Sequence, residues 1–156
     1  MTSLFVTGTD TEVGKTYVTA ALAAAMVRRG FPVRAIKPIA TGGVHPGNDA
    51  TFLARAAGHQ PINFACLPEA TSPERAARMA ETELDLPALV ALVMAEPAPR
   101  LVEGIGGWQV PLTPHSLVSD FATALRFPVL VVAANRLGAL NHTLLTVGAI
   151  QDRGLQ

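Results

Sequence analysis

Gly8-Thr9-Asp10-Thr11-Glu12-Val13-Gly14-Lys15-Thr16 lies between an apolar run and an alanine-rich stretch, and its residue types are those that hold a polyphosphate. Its glycines let successive backbone N–H groups turn toward one anion, and the helix that follows adds partial positive charge. Lys15 reaches the outer phosphates, and the Thr16 hydroxyl suits Mg²⁺. The spacing departs from the common phosphate loop, because five residues rather than four separate Gly8 from Gly14. Thr11 and Glu12 stand where many such loops have glycine, so two functional side chains lie on the rim, facing whatever reacts with the terminal phosphate. The bland alternative is a chance Gly/Thr-rich turn, which the surrounding strand and helix signals argue against.

Three further charged positions belong to the same chemistry. Lys37 ends an apolar run, Asp49 follows the candidate cap Asn48, and Glu103 ends another short apolar run before Gly104-Ile105-Gly106-Gly107-Trp108. Read singly, Lys37 is a solvated strand-end lysine and Asp49 an ordinary helix-start acid. Beside a phosphate loop they form a set. Thr16, Asp49 and Glu103 supply oxygens for Mg²⁺, which takes few protein ligands alongside phosphates and water. Lys15 and Lys37 would flank a γ-phosphoryl group and neutralise charge on the attacking and leaving oxygens. That charge pattern predicts transfer to an anionic acceptor.

The elements that must position these residues alternate. Ser3–Thr7 reads as a strand, Lys15–Arg29 as a helix closed by Gly30, and Phe31–Lys37 as a second strand stopped by Pro38. Ile39–Gly47 reads as a Gly/Pro-rich loop, Asn48–Ala57 as a capped helix closed by Gly58, and Pro61–Ala70 as extended or irregular. Two helices are expected at Pro73–Leu84 and Leu86–Glu96, a strand at Arg100–Glu103 and a helix within Ser116–Leu125. Phe127–Ala134 is continuously apolar and valine-rich, as a central parallel strand covered on both faces would be. Leu140–Arg153 reads as a final helix with Asn141 as its cap. Strands alternating with helices imply a three-layer α/β fold with a mostly parallel central sheet, a single phosphate-loop domain over residues 1–156. Leu155-Gln156 fall where a further strand would begin, so the fold is expected to lack C-terminal elements.

Composition sets the class of partner. Of 156 residues, 49% are hydrophobic, enough for a globular core, and twelve basic against twelve acidic residues leave no net charge. Neither nucleic acid nor an anionic membrane is favoured as a partner. No stretch is long enough to span a bilayer and no secretory signal is evident, which predicts a cytoplasmic protein. The single cysteine, Cys66, reads as a packed thiol. His45, His59, His115 and His142 lack metal-ligand spacing and read as surface or capping residues. Trp108 packs either in the core or on the glycine loop.

Four blocks carry a resemblance. Val6–Thr16, Lys37-Pro-Ile-Ala-Thr-Gly42, Asn48-Asp49-Ala50 and Val102-Glu-Gly-Ile-Gly-Gly-Trp108 are similar in order and spacing to dethiobiotin synthetase, and Leu137-Gly-Ala-Leu-Asn-His142 resembles the segment after that family's central strand. The resemblance implies an ATP- and Mg²⁺-dependent ligase that makes dethiobiotin from 7,8-diaminononanoate and CO₂ through a carbamate and a carbamic-phosphoric anhydride. It implies catalytic roles for Thr11, Glu12, Lys15 and Lys37. The implied nucleotide site is Glu12, Val13, Gly14, Lys15, Thr16 and Tyr17 with Asp49, Glu103, Gly104, Ile105 and Gly106. The implied substrate site is Thr11, Lys37, Thr41, Leu137, Gly138 and Asn141, and the metal set is Thr16, Asp49 and Glu103.

The family is homodimeric, with the substrate's remote carboxylate received by the start of a helix of the partner chain, here matched by Leu137–Asn141. Arg136 stands where the family commonly has lysine, and Ile105 where it has alanine. The family also continues past residue 156 with elements that recognise the base. Two other readings compete: a partitioning or switch ATPase, which would carry a lysine where Asp10 stands, and a catalytically weak nucleotide-binding fragment or paralogue.

Overall fold

A computed structural model describes residues 2–43 and 48–156. His45 and the end of the expected 39–47 loop lie outside the described residues. Four parallel strands form the central sheet: β1 (Leu4–Gly8), β2 (Arg34–Ile36), β5 (Arg100–Glu103) and β8 (Val129–Val132), in the order β2-β5-β1-β8. Two small pairs stand apart from it, parallel β3 (Ile39–Thr41) with β4 (Ala65–Leu67), and antiparallel β6 (Pro111–Thr113) with β7 (Ser116–Leu117).

Alternation along each strand divides the core. Phe5, Ile36 and Val102 point to one face, where they pack with Leu89 and Val93 of α4 (Leu86–Ala95) and with Phe121, Ala122 and Leu125 of α5 (Val118–Leu125). Ala35 and Leu101 point to the other, against Ala20 and Ala23 of α1 (Lys15–Arg28) and Leu53 and Ala57 of α2 (Asp49–Ala57). Small alanines on α1 let it lie close to the sheet. The three-layer reading of the sequence therefore holds. Trp108 belongs to the core, edge-on to Phe5 at a centroid distance of 6.4 Å.

Register sets the site. Ile36 lies opposite Val102, and Val6 opposite Glu103. Because the strands run parallel, Lys37, Glu103 and the phosphate loop emerge from the same edge of the sheet, where ligands bind in open parallel sheets.

Several expected boundaries move. The apolar run at residues 127–134 forms a strand, but β8 is the edge of the four described strands rather than the centre, and its Val129 N–H donates to the Gln156 carbonyl. An apolar run reports two covered faces and carries no information about lateral position. The 39–47 loop begins with β3, which pairs with β4 inside the stretch read as extended or irregular. The helix expected to reach Leu84 ends as α3 (Pro73–Met79), just before Glu81 turns left-handed at φ 50°. The last helix, α6 (Ala139–Gln151), starts from left-handed Gly138 (φ 91°), which puts Asn141 inside the helix instead of at its cap. Among the described residues no helix is long and apolar enough to cross a membrane.

Candidate active site

The phosphate loop runs from the end of β1 to the start of α1. Gly8 must be glycine, since a Cβ there would sit 2.7 Å from Val13 Cγ2 and 2.9 Å from the Asp10 carbonyl oxygen. Gly14 caps α1 at φ 95°, a left-handed conformation that costs glycine nothing. Glu12 also sits at positive φ, 58°, an uncommon setting for a side-chain-bearing residue that holds it exposed on the loop rim. Val13 anchors the loop from below, buried with Val6 and Val132. Lys15 bends back over the loop so that its Nζ donates to the Asp10 carbonyl at 2.9 Å.

A cavity of about 330 Å³ opens beside this loop. Thr11, Glu12, Gly14, Lys15, Thr16, Lys37, Thr41, Asp49, Glu103, Ile105 and Gly106 line it together with Ala40, which sequence reasoning had not singled out. Gly104 lies behind its wall and turns its carbonyl oxygen to Lys37. Tyr17 is exposed on α1, while Leu137, Gly138 and Asn141 are exposed at the start of α6. None of these four is among the residues that line the cavity.

Four charges dominate its floor. Lys37, 3% exposed, pairs with Glu103 Oε1 at 2.7 Å and with Asp49 Oδ2 at 2.8 Å. The Thr16 hydroxyl donates to the same Glu103 oxygen at 2.8 Å. Burial alone would push the Lys37 ammonium down, but Glu103 and Asp49 outweigh it and hold this lysine above its ordinary value. Burial would likewise raise Asp49, yet Lys37 and the nearby Thr16 hydroxyl keep its carboxyl below the usual range. Lys15 goes the other way, lowered first by burial and then by the neighbouring Lys37. A buried lysine that donates to a backbone carbonyl and faces a cavity is suited to a polyphosphate.

The oxygen set also fits a hard divalent cation. Glu103 Oε2 is buried without a hydrogen-bond partner, beside the Thr16 hydroxyl and the Asp49 carboxylate. Among the described residues no three His, Cys, Asp or Glu cluster as a closed metal site. Such sparse oxygen ligation suits Mg²⁺ shared with phosphates.

Two supporting residues escaped the sequence. Asn63 Nδ2 donates to the Lys37 carbonyl at 2.8 Å and fixes the backbone that carries the lysine. Asp10 accepts the Thr11 N–H at 2.8 Å through Oδ1 and Arg136 Nη2 at 3.2 Å through Oδ2. Asn63 carries no local mark because the fold brings Lys37 to it, whereas Asp10 combines contacts within its own loop with one to distant Arg136.

Known proteins resemble the chain along nearly its whole length. Residues 2–156 match a family model described as an AAA domain. The chain is 41% identical over 164 residues to the ATP-dependent dethiobiotin synthetase BioD of Akkermansia muciniphila, covering all of this chain and 75% of that protein. It is 40% identical over 168 residues to the protein of the same name from Pseudomonas aeruginosa strain UCBPP-PA14, covering 99% of this chain and 74% of the relative. A third, from Janthinobacterium sp. strain Marseille, is also 40% identical, over 97% of this chain and 71% of its own length.

Proposed function

The chain belongs to the ATP-dependent dethiobiotin synthetase family, and we propose that its cavity activates a carbamate with ATP and closes the ureido ring of dethiobiotin. It is a ligase of biotin biosynthesis that uses ATP as co-substrate. The observation that carries the mechanistic reading is the convergence of Lys15 and Lys37 with Asp49, Glu103 and Thr16 on one cavity beside the phosphate loop.

The chemistry runs in three steps. One amine nitrogen of 7,8-diaminononanoate attacks CO₂, loses a proton and becomes a carbamate. A carbamate oxygen then attacks the γ-phosphorus and ADP leaves, giving a carbamic-phosphoric anhydride. The second amine attacks the anhydride carbon, loses a proton, releases phosphate and closes the ring. The middle step brings anion to anion, so Lys15 and Lys37 neutralise the approaching oxygens. Thr11 and Thr41 hydrogen-bond the carbamate or the diamine, and Glu12 orients an ammonium at the rim. Ring closure needs only that both amines stay held, since tethered reactants have a large entropic advantage. Thr16, Asp49 and Glu103 would hold Mg²⁺, which supplies charge neutralisation on the triphosphate when bound.

The proposed working unit is a cytoplasmic homodimer built from this single phosphate-loop domain, with Leu137, Gly138 and Asn141 of each subunit receiving the carboxylate of substrate bound to the other. Their exposed place at the start of α6 supports this, as does the apolar face that Leu137, Leu140, Leu144 and Leu145 leave open for a second copy. The decisive experiment is phosphate release with ATP, Mg²⁺ and bicarbonate, with and without 7,8-diaminononanoate. Release should require the diamine, and release independent of it would sink the synthetase mechanism.

A further inference from the structure

Every donor of Lys37 is committed. An ammonium has three N–H groups, and Nζ meets three acceptors: Glu103 Oε1 at 2.7 Å, Asp49 Oδ2 at 2.8 Å and the Gly104 carbonyl oxygen at 3.2 Å. In this arrangement none remains for a phosphoryl or carbamate oxygen. Two of the three acceptors are the carboxylates proposed to hold Mg²⁺, and the third proposed metal ligand, Thr16, donates to the same Glu103 oxygen. A divalent cation on Asp49 and Glu103 would face an ammonium a few ångströms away, at a distance where like charges repel strongly in a poorly solvated site.

We infer that the Lys37 ammonium and the divalent cation exchange for one another on Asp49 and Glu103, so that arrival of the metal–nucleotide is what frees Lys37 to turn toward the acceptor. The inference rests on the metal-site reading above. The swing is confined to the side chain, because the Lys37 N–H donates to the Ile62 carbonyl at 3.1 Å and its own carbonyl accepts Asn63 Nδ2 at 2.8 Å. Its consequence is an order of assembly. Until a phosphoryl donor is in place, the lysine that would attract a carbamate is neutralised by its own carboxylates, and the acceptor site lacks part of its positive charge.

The test is Mn²⁺ binding followed by electron paramagnetic resonance, with and without ADP, in the wild type and in Lys37→Met. With nucleotide absent, Lys37→Met should bind Mn²⁺ about tenfold more tightly, because the competing cation is gone. Unchanged or weaker binding would overturn the exchange while leaving the metal site intact, provided wild type binds Mn²⁺ with ADP. Failure of wild type to bind Mn²⁺ even with ADP would overturn the metal-site reading and this inference with it. The wild-type protein supplies an independent readout. The Lys37 side-chain ¹⁵N resonance, protected from exchange by its three acceptors, should shift and lose protection on addition of MgADP, and an unmoved resonance would overturn the proposal.

Discussion

Arg136 Nη2 lies 3.2 Å from Asp10 Oδ2, joining the loop before α6 to the phosphate loop. Asp10 also takes the Thr11 N–H with its other carboxylate oxygen and receives Lys15 Nζ on its backbone carbonyl. Loosening Asp10 therefore disturbs Thr11 on the rim and Lys15, the lysine proposed to bind phosphate. The pair is more than half exposed on both sides, so its worth is limited to about 1 kcal/mol or less. Arg136→Met is expected to raise the nucleotide Kd roughly two- to fivefold at low salt, and less at high salt, with little change in Tm. Calorimetric titration at two ionic strengths checks this, and an unchanged Kd at low salt would make the pair a bystander.

Lys37→Gln separates binding from chemistry. In the proposed mechanism Lys15 and the loop amides hold the nucleotide without Lys37, whereas the charge that develops between carbamate and γ-phosphoryl needs both lysines. Nucleotide Kd should stay within a few-fold, while turnover falls well over tenfold. Equal losses in Kd and turnover, from equilibrium binding and steady-state phosphate release, would show that Lys37 acts in ground-state binding.

The phosphate loop was legible because its residues are contiguous and their context is local: strand, loop and helix follow one another within residues 4–28. Lys37, Asp49 and Glu103 were legible by their places at element ends, although the 2.7 Å contact between Lys37 and Glu103 spans 66 residues and depends on strand register. The Asp10–Arg136 pair spans 126 residues, and no sequence pattern anticipates it. The lateral place of β8 was misread because apolarity reports cover above and below a strand, not its neighbours. The small pairs β3–β4 and β6–β7 were missed because segments of two or three residues carry too little periodicity.

His59 illustrates a role that a lone histidine conceals. Its Nε2 accepts the Ala35 N–H at 3.0 Å and its Nδ1 lies 2.6 Å from the Gln60 carbonyl, so the ring holds the proton on Nδ1. It satisfies the edge of β2, the outer strand on that side of the described sheet. His59→Leu leaves that N–H without its acceptor and should cost about 1–2 kcal/mol in urea unfolding, with no change in nucleotide Kd. A loss below about 0.3 kcal/mol would mean that water replaces the ring.

The exposed leucines of α6 allow a direct test of assembly. Leu140 and Leu144 share one helix face and are 82% and 72% exposed. Two glutamates on that face would charge a surface that a dimer must dehydrate. Leu140→Glu with Leu144→Glu should sediment as a folded monomer under conditions where the wild type sediments as a dimer. A wild type that is monomeric at tens of micromolar would remove the dimer from the proposal.

Asp120 ties two helices and should make the fold sensitive to acid. Its Oδ2 accepts the Leu117 N–H at the start of α5, and its Oδ1 accepts Arg153 Nη1 just past α6, both at 2.6 Å. Burial would raise this carboxyl, but the Leu117 amide and Arg153 outweigh it and hold the group below the usual range. A pKa depressed in the folded state gives stability that is present above the unfolded value, about 3.9, and lost as pH falls through the folded one. Asp120→Ala should therefore cost about 1 kcal/mol at pH 7, on the scale of a lost helix-start acceptor. That cost should shrink as pH drops below 4, where the carboxyl of the unfolded chain takes up a proton that the folded state resists. Urea unfolding of both proteins at pH 7 and pH 3 decides the matter: a gap of the same size at both values would assign the effect to packing rather than to the charge.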